Sequence, residues 1–207
     1  MEFDRNPTLD ALCARKSVRV FTEEPVPQAV KNALFQAAMQ APTAGNQMLY
    51  TILDITDAAL KARLADLCDH QPFIAKAPLV LVFLADCRRW LQAYKAAGIE
   101  DVRTPGVGDL LLAMADTCIA AQNAVVAAES LGIGSCWIQG RNREAADGSS
   151  SEEYLRELLH FPQRLRLEAI LSLGMPRALN LAVHAEKSST AELMSIPCQQ
   201  LMRTAER

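Results

Sequence analysis

The sequence predicts an α+β sandwich. Segments with helical spacing of apolar residues separate most of the segments that are typical of strands. Residues 78–85 (Pro-Leu-Val-Leu-Val-Phe-Leu-Ala) form a continuous apolar run of strand length, which is typical of a strand covered on both faces. Residues 109–131 have the pattern of a long helix that is apolar nearly all round, so we expect this helix to be buried.

The helices are predicted from apolar spacing and from proline and glycine at their ends. Proline is tolerated in the first turn of a helix, so Pro7 and the pair Pro25 and Pro27 mark two helix starts. Gly132 ends the long helix, and a Ser-x-x-Glu capping box begins at residue 150. These signals predict helices at residues 7–13, from 25–27 to 41, and at 57–68, 109–131 and 150–159.

The strands are predicted from β-rich, apolar or alternating runs. They lie at residues 49–55, 78–85, 135–139 and 165–173. The segments 97–107 and 142–151 are polar and contain glycine, so we expect loops there. The chain shows no internal repeat, and its length suits a single domain over residues 1–207.

Composition places the chain among globular proteins. Of its 207 residues, 50% are hydrophobic and 22% are charged, which excludes a disordered chain. The formal net charge of −3 argues against general nucleic-acid binding. The six cysteines include no Cys-x-x-Cys pair, and the N-terminus lacks the apolar core of a signal peptide. We therefore expect a cytoplasmic protein with reduced thiols.

The longest apolar stretch, residues 110–131, is not expected to span a membrane. It contains Asp116, Gln122, Asn123 and Glu129, which a bilayer would not easily accept. The three histidines are too dispersed to predict a metal site, and no nucleophile stands beside an evident base. The sequence thus predicts neither a metal site nor a catalytic side chain.

A cluster of positive charge lies at residues 15–19, Arg-Lys-Ser-Val-Arg. Arg15, Lys16 and Arg19 offer charge and hydrogen-bond donors, and Ser17 adds a hydroxyl, which together suit a bound phosphate. Taken alone, such a basic run is more often solvated surface. Against the mildly acidic background of this chain, the cluster favours a local anion site.

Two further segments are informative when they are considered together with the basic cluster. Residues 42–47 (Pro-Thr-Ala-Gly-Asn-Gln) form a turn whose backbone can approach a flat ring closely. Asn46 offers that ring a donor and an acceptor, although an ordinary turn with a left-handed Asn has the same pattern. Residues 132–140 (Gly-Ile-Gly-Ser-Cys-Trp-Ile-Gln-Gly) follow a helix and lack the third glycine of a dinucleotide-binding motif, so that motif is excluded.

Together these segments resemble the nitroreductase family of FMN-dependent oxidoreductases. The family pattern is Arg-x-Ser-x-Arg, then Ala-Pro-Ser-x-x-Asn, then a long Ala-rich helix ending in Leu-Gly-Leu-Gly, then a tryptophan or tyrosine and a glycine turn. This chain has each piece in that order between about Leu12 and His184, and residues 116–134 carry the likeness to the flavin reductase and NADPH-nitroreductase branch. The resemblance implies a three-layer α-β-α sandwich with a mainly antiparallel sheet. It also implies an intertwined homodimer with the long helix at its interface.

The resemblance implies where FMN would bind. It places Arg15, Lys16 and Ser17 at the phosphate and ribityl end, and Arg19 at the N1–O2 edge of the ring, where a cation favours reduction. The further candidate cofactor-binding residues are Pro42, Thr43, Ala44, Asn46, Gln71, Trp137, Ile138, Gln139, Gly140 and Arg177.

Three of these assignments have open alternatives. Gln71 is equally consistent with a loop residue that faces water, and Trp137 with a core residue. For the second phosphate clamp of the family, Arg177 is our candidate and Lys187 is the rival.

The implied activity is electron transfer from NAD(P)H through FMN to a nitroaromatic, quinone or flavin acceptor by a ping-pong mechanism. No acid or base of the protein is strictly required. Two alternatives remain: a specialised, dehalogenase-like flavoenzyme of the same fold, and a flavin-binding sensor or storage protein without turnover.

Overall fold

The computed structural model describes residues 6–139, 151–160 and 162–177. Its centre is a four-stranded sheet in which every neighbouring pair is antiparallel. The strands are β1 (Tyr50–Asp54), β2 (Leu79–Ala85), β3 (Gly134–Ile138) and β4 (Arg166–Gly174), in the order β1-β2-β4-β3. All four predicted strands are confirmed, and their ends lie within one residue of the predicted ends.

Seven helices are described, and five of them were predicted. Asn6 caps the first helix by accepting the Thr8 and Leu9 N–H groups, and Asp57 caps the third by accepting the Leu60 N–H. The capping box predicted at residue 150 lies outside the described residues. The helices are α1 (Pro7–Ala14), α2 (Gln28–Met39), α3 (Ala58–Leu67), α4 (Pro72–Lys76), α5 (Arg89–Ala96), α6 (Val107–Ser130) and α7 (Ser151–Leu159).

Helices cover both faces of the sheet. All seven residues of β2 are buried, and alternate residues point to opposite faces. Leu81 and Phe83 pack with α2 and α6 on one face, whereas Val80 and Val82 pack with α3, α4 and α7 on the other. The three-layer α+β sandwich with an antiparallel sheet is therefore confirmed.

The long helix α6 is buried on one face only. Eight of its residues are buried, and most of them are alanines, which let the helix lie close to the sheet. On the other face Leu111, Leu112 and Ile119 are 60%, 48% and 40% exposed. By length and composition α6 could cross a membrane, but its buried face packs on the sheet as a core helix does. A single chain therefore buries one face of α6, and burial of the other face in a subunit interface stays a prediction.

The thiol of Cys68, at the end of α3, gives the fold a pH dependence. Burial raises the pKa of this thiol from 9.0 to about 11. The folded chain thus holds the proton more tightly than the unfolded chain, so this contribution to stability is complete below the unfolded pKa and is lost as the pH rises through the folded pKa.

We expect the free energy of unfolding in urea to fall by about 2–3 kcal/mol from this group between about pH 8 and pH 11. Cys68→Ala should remove that part of the pH slope, whereas Cys13→Ala, at an exposed thiol, should keep it. Parallel pH profiles for wild type and Cys68→Ala would contradict the assignment.

Candidate functional site

The basic cluster at residues 15–19 runs as an extended segment along the outer edge of β3. The Val18 N–H donates to the Ser135 carbonyl at 2.8 Å, and the residue before Val18 forms a parallel bridge with the same serine. Side chains alternate along an extended segment, so residues 15, 17 and 19 face one side and residues 16 and 18 face the other.

Gly134 determines how closely this segment lies on β3. Val18 is 2% exposed and packs directly over Gly134. A Cβ at position 134 would lie 2.7 Å from Val18 Cγ1 and 2.8 Å from Val18 Cβ, which is closer than real contacts of this kind. Only glycine therefore leaves room for the observed packing.

Cys136 lies where three predicted cofactor ligands converge. Burial raises the pKa of its thiol, while the Arg19 guanidinium, the Ser17 hydroxyl and Arg15 oppose that rise. The net shift is upward, so the thiol is protonated at neutral pH and is not a candidate nucleophile. The Ser17 and Arg19 side chains hydrogen-bond to this thiol and the charge of Arg15 acts on it, which agrees with the three side chains lying on one side of the segment.

Backbone hydrogen bonds beyond the end of β4 hold Arg177 beside the segment that follows the basic cluster. The Thr22 N–H donates to the Met175 carbonyl at 2.9 Å, and the Arg177 N–H donates to the Val20 carbonyl at 3.1 Å. The rival Lys187 lies outside the described residues. The role of Arg177 as a phosphate ligand stays a prediction.

Arg177 borders two cavities. The large cavity, of about 1070 Å³, is also lined by Arg19, Phe73 and Lys76. The small cavity, of about 380 Å³, is also lined by Lys16. The Arg19 guanidinium carbon lies 5.9 Å from the centre of the Phe73 ring, which is within cation–π range. Two glutamates, at positions 23 and 24, add negative charge to the large cavity.

The predicted turn at residues 42–47 contains a short 3-10 helix, Ala44–Asn46. Gly45 and Asn46 have φ values of 57° and 54°, in the left-handed region. The Ala44 N–H donates to Asp116 Oδ1 in α6 at 3.0 Å, and the Thr43 hydroxyl accepts the N–H of residue 48 at 3.3 Å. Pro42 and Asn46 are exposed, so the outer side of the turn is free for a ligand or a partner.

Helix α5 holds the same turn from its other side, a contact that sequence reasoning missed. The indole N–H of Trp90 donates to the Gln47 carbonyl at 2.9 Å. The Arg89 guanidinium donates to the carbonyls of Met48 and Tyr50, each at 3.2 Å. These bonds hold the backbone of residues 47–50, where the chain passes from the turn into β1.

Within one chain the turn and the basic cluster lie far apart. The turn is anchored at Asp116, whereas Lys16 shares the small cavity with Glu129. Thirteen residues of α6 separate these two positions, which is roughly 20 Å at the rise of an α-helix. One chain thus does not bring all the predicted cofactor-binding residues together.

Several of the remaining predicted residues already make contacts within the fold. Gln71 is the N-cap residue that precedes α4, and its side-chain N–H donates to the Cys68 carbonyl at 2.5 Å. Ile138 is 4% exposed in the core, so only its backbone could meet a ligand. Trp137 is half-buried against the core on the α6 side, and Gln139 is exposed.

Gly140 lies outside the described residues. The proposed cofactor contacts of residues 71 and 137–140 stay predictions. Within the described ranges no group of three or more His, Cys, Asp and Glu side chains could hold a metal ion.

Comparison with known proteins gives a family and several relatives. The sequence profile of the nitroreductase family matches residues 12–175. The chain is 35% identical over 171 residues to the oxygen-insensitive NADPH nitroreductase of Salmonella typhimurium. It is 31% identical over 177 residues to an FMN reductase [NAD(P)H] of Bacillus subtilis. Each alignment covers 83% of this chain and 66% of the relative, so the chain spans just under two thirds of their length.

A solved structure supports the fold independently of those two sequences. The structure of B. megaterium NfrA2 superposes with a TM-score of 0.76 at 29% sequence identity. The match covers 92% of this chain and 78% of that one, so the likeness extends over nearly the whole chain.

Proposed function

Because the chain belongs to the nitroreductase family, we propose that it binds FMN and transfers electrons from NAD(P)H to a small-molecule acceptor. The relatives reported above are named for reactions of this class. The observation that carries the proposal is the convergence of Arg15, Ser17 and Arg19 on one side of the segment along β3, with Arg177 nearby. This combination of cations and a hydroxyl fits a phosphate.

The residues of the chain fit the rest of the cofactor as well. Arg15, Lys16 and Ser17 would hold the phosphate end, and Arg19 would lie farther along at the ring, beside the apolar face of Phe73. FMN supplies the hydride and electron chemistry when it is bound. The protein therefore has to bind and orient the cofactor, place charge beside it and admit the acceptor. We propose nitroaromatics, quinones or free flavin as acceptors.

The first prediction concerns the cofactor and the reaction. We expect the purified protein to be yellow, to release FMN on heating, and to bleach when NADH or NADPH is added without oxygen. The released ligand is identified by mass spectrometry. Failure to recover flavin, together with failure to bind added FMN at micromolar concentration, would overturn the proposal. Colour without bleaching would instead indicate a flavin-holding protein.

We also propose a homodimer in which two chains share each cofactor site. In one chain, roughly 20 Å of α6 separates the Asn46 turn from the basic cluster. The face of α6 with Leu111, Leu112 and Ile119 is apolar and exposed, which is unfavourable for an isolated chain. A second copy packed on this face would cover it and could bring the partner's turn to the cluster.

The dimer is tested by placing charge on that face. We expect Leu112→Glu to give a monomer by light scattering and to release FMN, because both the apolar contact and the shared site are lost. Ala62→Glu on the exposed side of α3, across the sheet from α6, is the matched control and should remain a dimer with FMN. A monomeric Leu112→Glu variant that retains FMN at wild-type affinity would contradict the shared site.

The remaining proposals concern organisation and location. We propose that residues 1–207 form one FMN-binding domain of a cytoplasmic protein that binds neither nucleic acid nor membrane. The net charge of −3 supports the first exclusion, and the packing of α6 on the sheet supports the second. Cys13, Cys68, Cys87 and Cys136 carry free thiols, which supports a reducing compartment.

A further inference from the structure

A second basic cavity lies at the other end of α6 from the Arg15–Arg19 cluster. We call it the arginine cavity, since Arg88, Arg164 and Arg166 line it. Its volume is about 450 Å³, and it opens between the end of β2, the start of α6 and the start of β4. No carboxylate side chain lines the cavity among the described residues.

Arg164 is held in place by a buried carboxylate. Asp86 is 2% exposed and accepts the Arg164 Nε–H at 3.2 Å through Oδ2. Its Oδ1 accepts the backbone N–H of Arg88 at 3.2 Å. Asp86 thus ties two of the three arginines to the same wall, and the terminal nitrogens of Arg164 make no hydrogen bond within the described part of the chain.

The charge of the other two arginines is incompletely neutralised. The Arg88 guanidinium has no hydrogen-bond or ion-pair partner among the described residues. Arg166 approaches Glu152 at 3.5 Å, but Glu152 already binds Arg156 at 3.0 Å. The carboxylate of Asp109, in the first turn of α6, is paired with Arg103 at 2.6 Å. The positive charge left over in this region therefore faces the arginine cavity.

We propose that the arginine cavity binds a phosphate-bearing small molecule. Guanidinium groups match phosphate oxygens with paired N–H donors, and Gln163 adds a neutral donor to the same wall. The partial positive charge at the start of α6 adds to the attraction. The volume lies within the range of small-molecule sites. The ligand is either the phosphate part of the nicotinamide donor or a separate phosphorylated compound.

The test measures the binding of inorganic pyrophosphate to FMN-saturated protein by calorimetry at low ionic strength. We expect the variant with both Arg88→Gln and Arg166→Gln to bind pyrophosphate at least about tenfold more weakly than wild type. Arg63→Gln removes a single positive charge at an exposed arginine on α3, far from the cavity, and should bind pyrophosphate as wild type does. The Asp86–Arg164 pair is left intact so that no buried charge loses its partner, and thermal melting without ligand checks the fold.

A further variant separates this proposal from the flavin site. Lys16→Gln, measured at saturating FMN so that the flavin site is filled, should leave pyrophosphate binding at the arginine cavity unchanged. Equal pyrophosphate affinity in wild type and the double variant, or no binding by wild type, would overturn the proposal.

Kinetics identify the source of the phosphate. If the cavity binds the donor, the double variant should raise the KM for NADH or NADPH about tenfold with little change in kcat. If the ligand is a separate compound, pyrophosphate affinity should fall while the KM for the donor stays the same. Both results support a phosphate site, and they assign it to different ligands.

Discussion

Replacing Arg15 with alanine is expected to weaken FMN binding about ten- to a hundredfold while leaving the reduction potential of the bound flavin unchanged. Removing a charge-assisted hydrogen bond costs roughly 1.5–3 kcal/mol, which corresponds to that loss of affinity. A contact with the phosphate is equally strong in both redox states of the ring. Such uniform binding affects affinity but not redox balance.

Arg19→Gln should have the complementary effect. Arg19 faces the same side as Arg15 but reaches the large cavity, where it lies against Phe73. A cation beside the ring stabilises the reduced, anionic flavin, so its loss should lower the reduction potential and slow hydride uptake even at full FMN occupancy. Glutamine keeps a donor at this position and removes only the charge.

The two variants are compared by FMN titration, by the potential of the saturated protein and by anaerobic stopped flow. Lys76→Gln removes a different cation from the same cavity and is the matched control, which should change the potential less than Arg19→Gln does. If Arg19→Gln has the wild-type potential and reduction rate at saturation, Arg19 does not lie at the ring.

The elements with strong local patterns were predictable from the sequence. Strand β2 is apolar throughout because both of its faces are covered, and α6 has apolar residues over its whole length. Helices α4 and α5 were missed for a physical reason. The first has only five residues, and the second places Trp90, Leu91 and Tyr94 on one side of eight residues without burying any of them, so neither shows the longer apolar stripe of a core helix.

The candidate site was predictable in its residue types but not in its geometry. Arg15, Ser17 and Arg19 have the chemistry of a phosphate site wherever they lie in space. The contacts of Cys136 with them depend on a parallel pairing between segments that are far apart in the sequence. No local pattern encodes such a pairing, because the residues that form it are ordinary strand residues.

The position of Asn46 illustrates a second limit of sequence patterns. The motif order suggests that Asn46 and the basic cluster serve one cofactor, yet roughly 20 Å of α6 separates them in one chain. A motif specifies which residues meet a ligand but not which copy of the chain supplies them. The exposed apolar face of α6 is the observation on which the proposed second copy rests.

Gly134→Ala is expected to destabilise the fold and to weaken FMN binding, although it adds only a single methyl group. The new Cβ would lie 2.7–2.8 Å from the Cγ1 and Cβ of Val18, and a β-branched side chain has no flexible end to move away. Overpacking of this kind costs roughly 1–3 kcal/mol of folding free energy. The segment with residues 15–19 should also move away from β3, so FMN binding should weaken.

A double-mutant cycle connects this effect to the contact itself. Val18→Gly removes the opposing carbons, so the pair Gly134→Ala with Val18→Gly should be less destabilised than the sum of the single variants, by about 0.5–3 kcal/mol. Gly108→Ala is the matched control, because a Cβ there meets nothing within 4 Å in the first turn of α6. Additive effects in the cycle, or wild-type FMN affinity in Gly134→Ala, would show that the close packing of Val18 on Gly134 does not position the basic cluster. A favourable coupling between Gly134→Ala and Val18→Gly, seen in both stability and FMN affinity, would show that the packing of Val18 on Gly134 supports both the fold and cofactor binding.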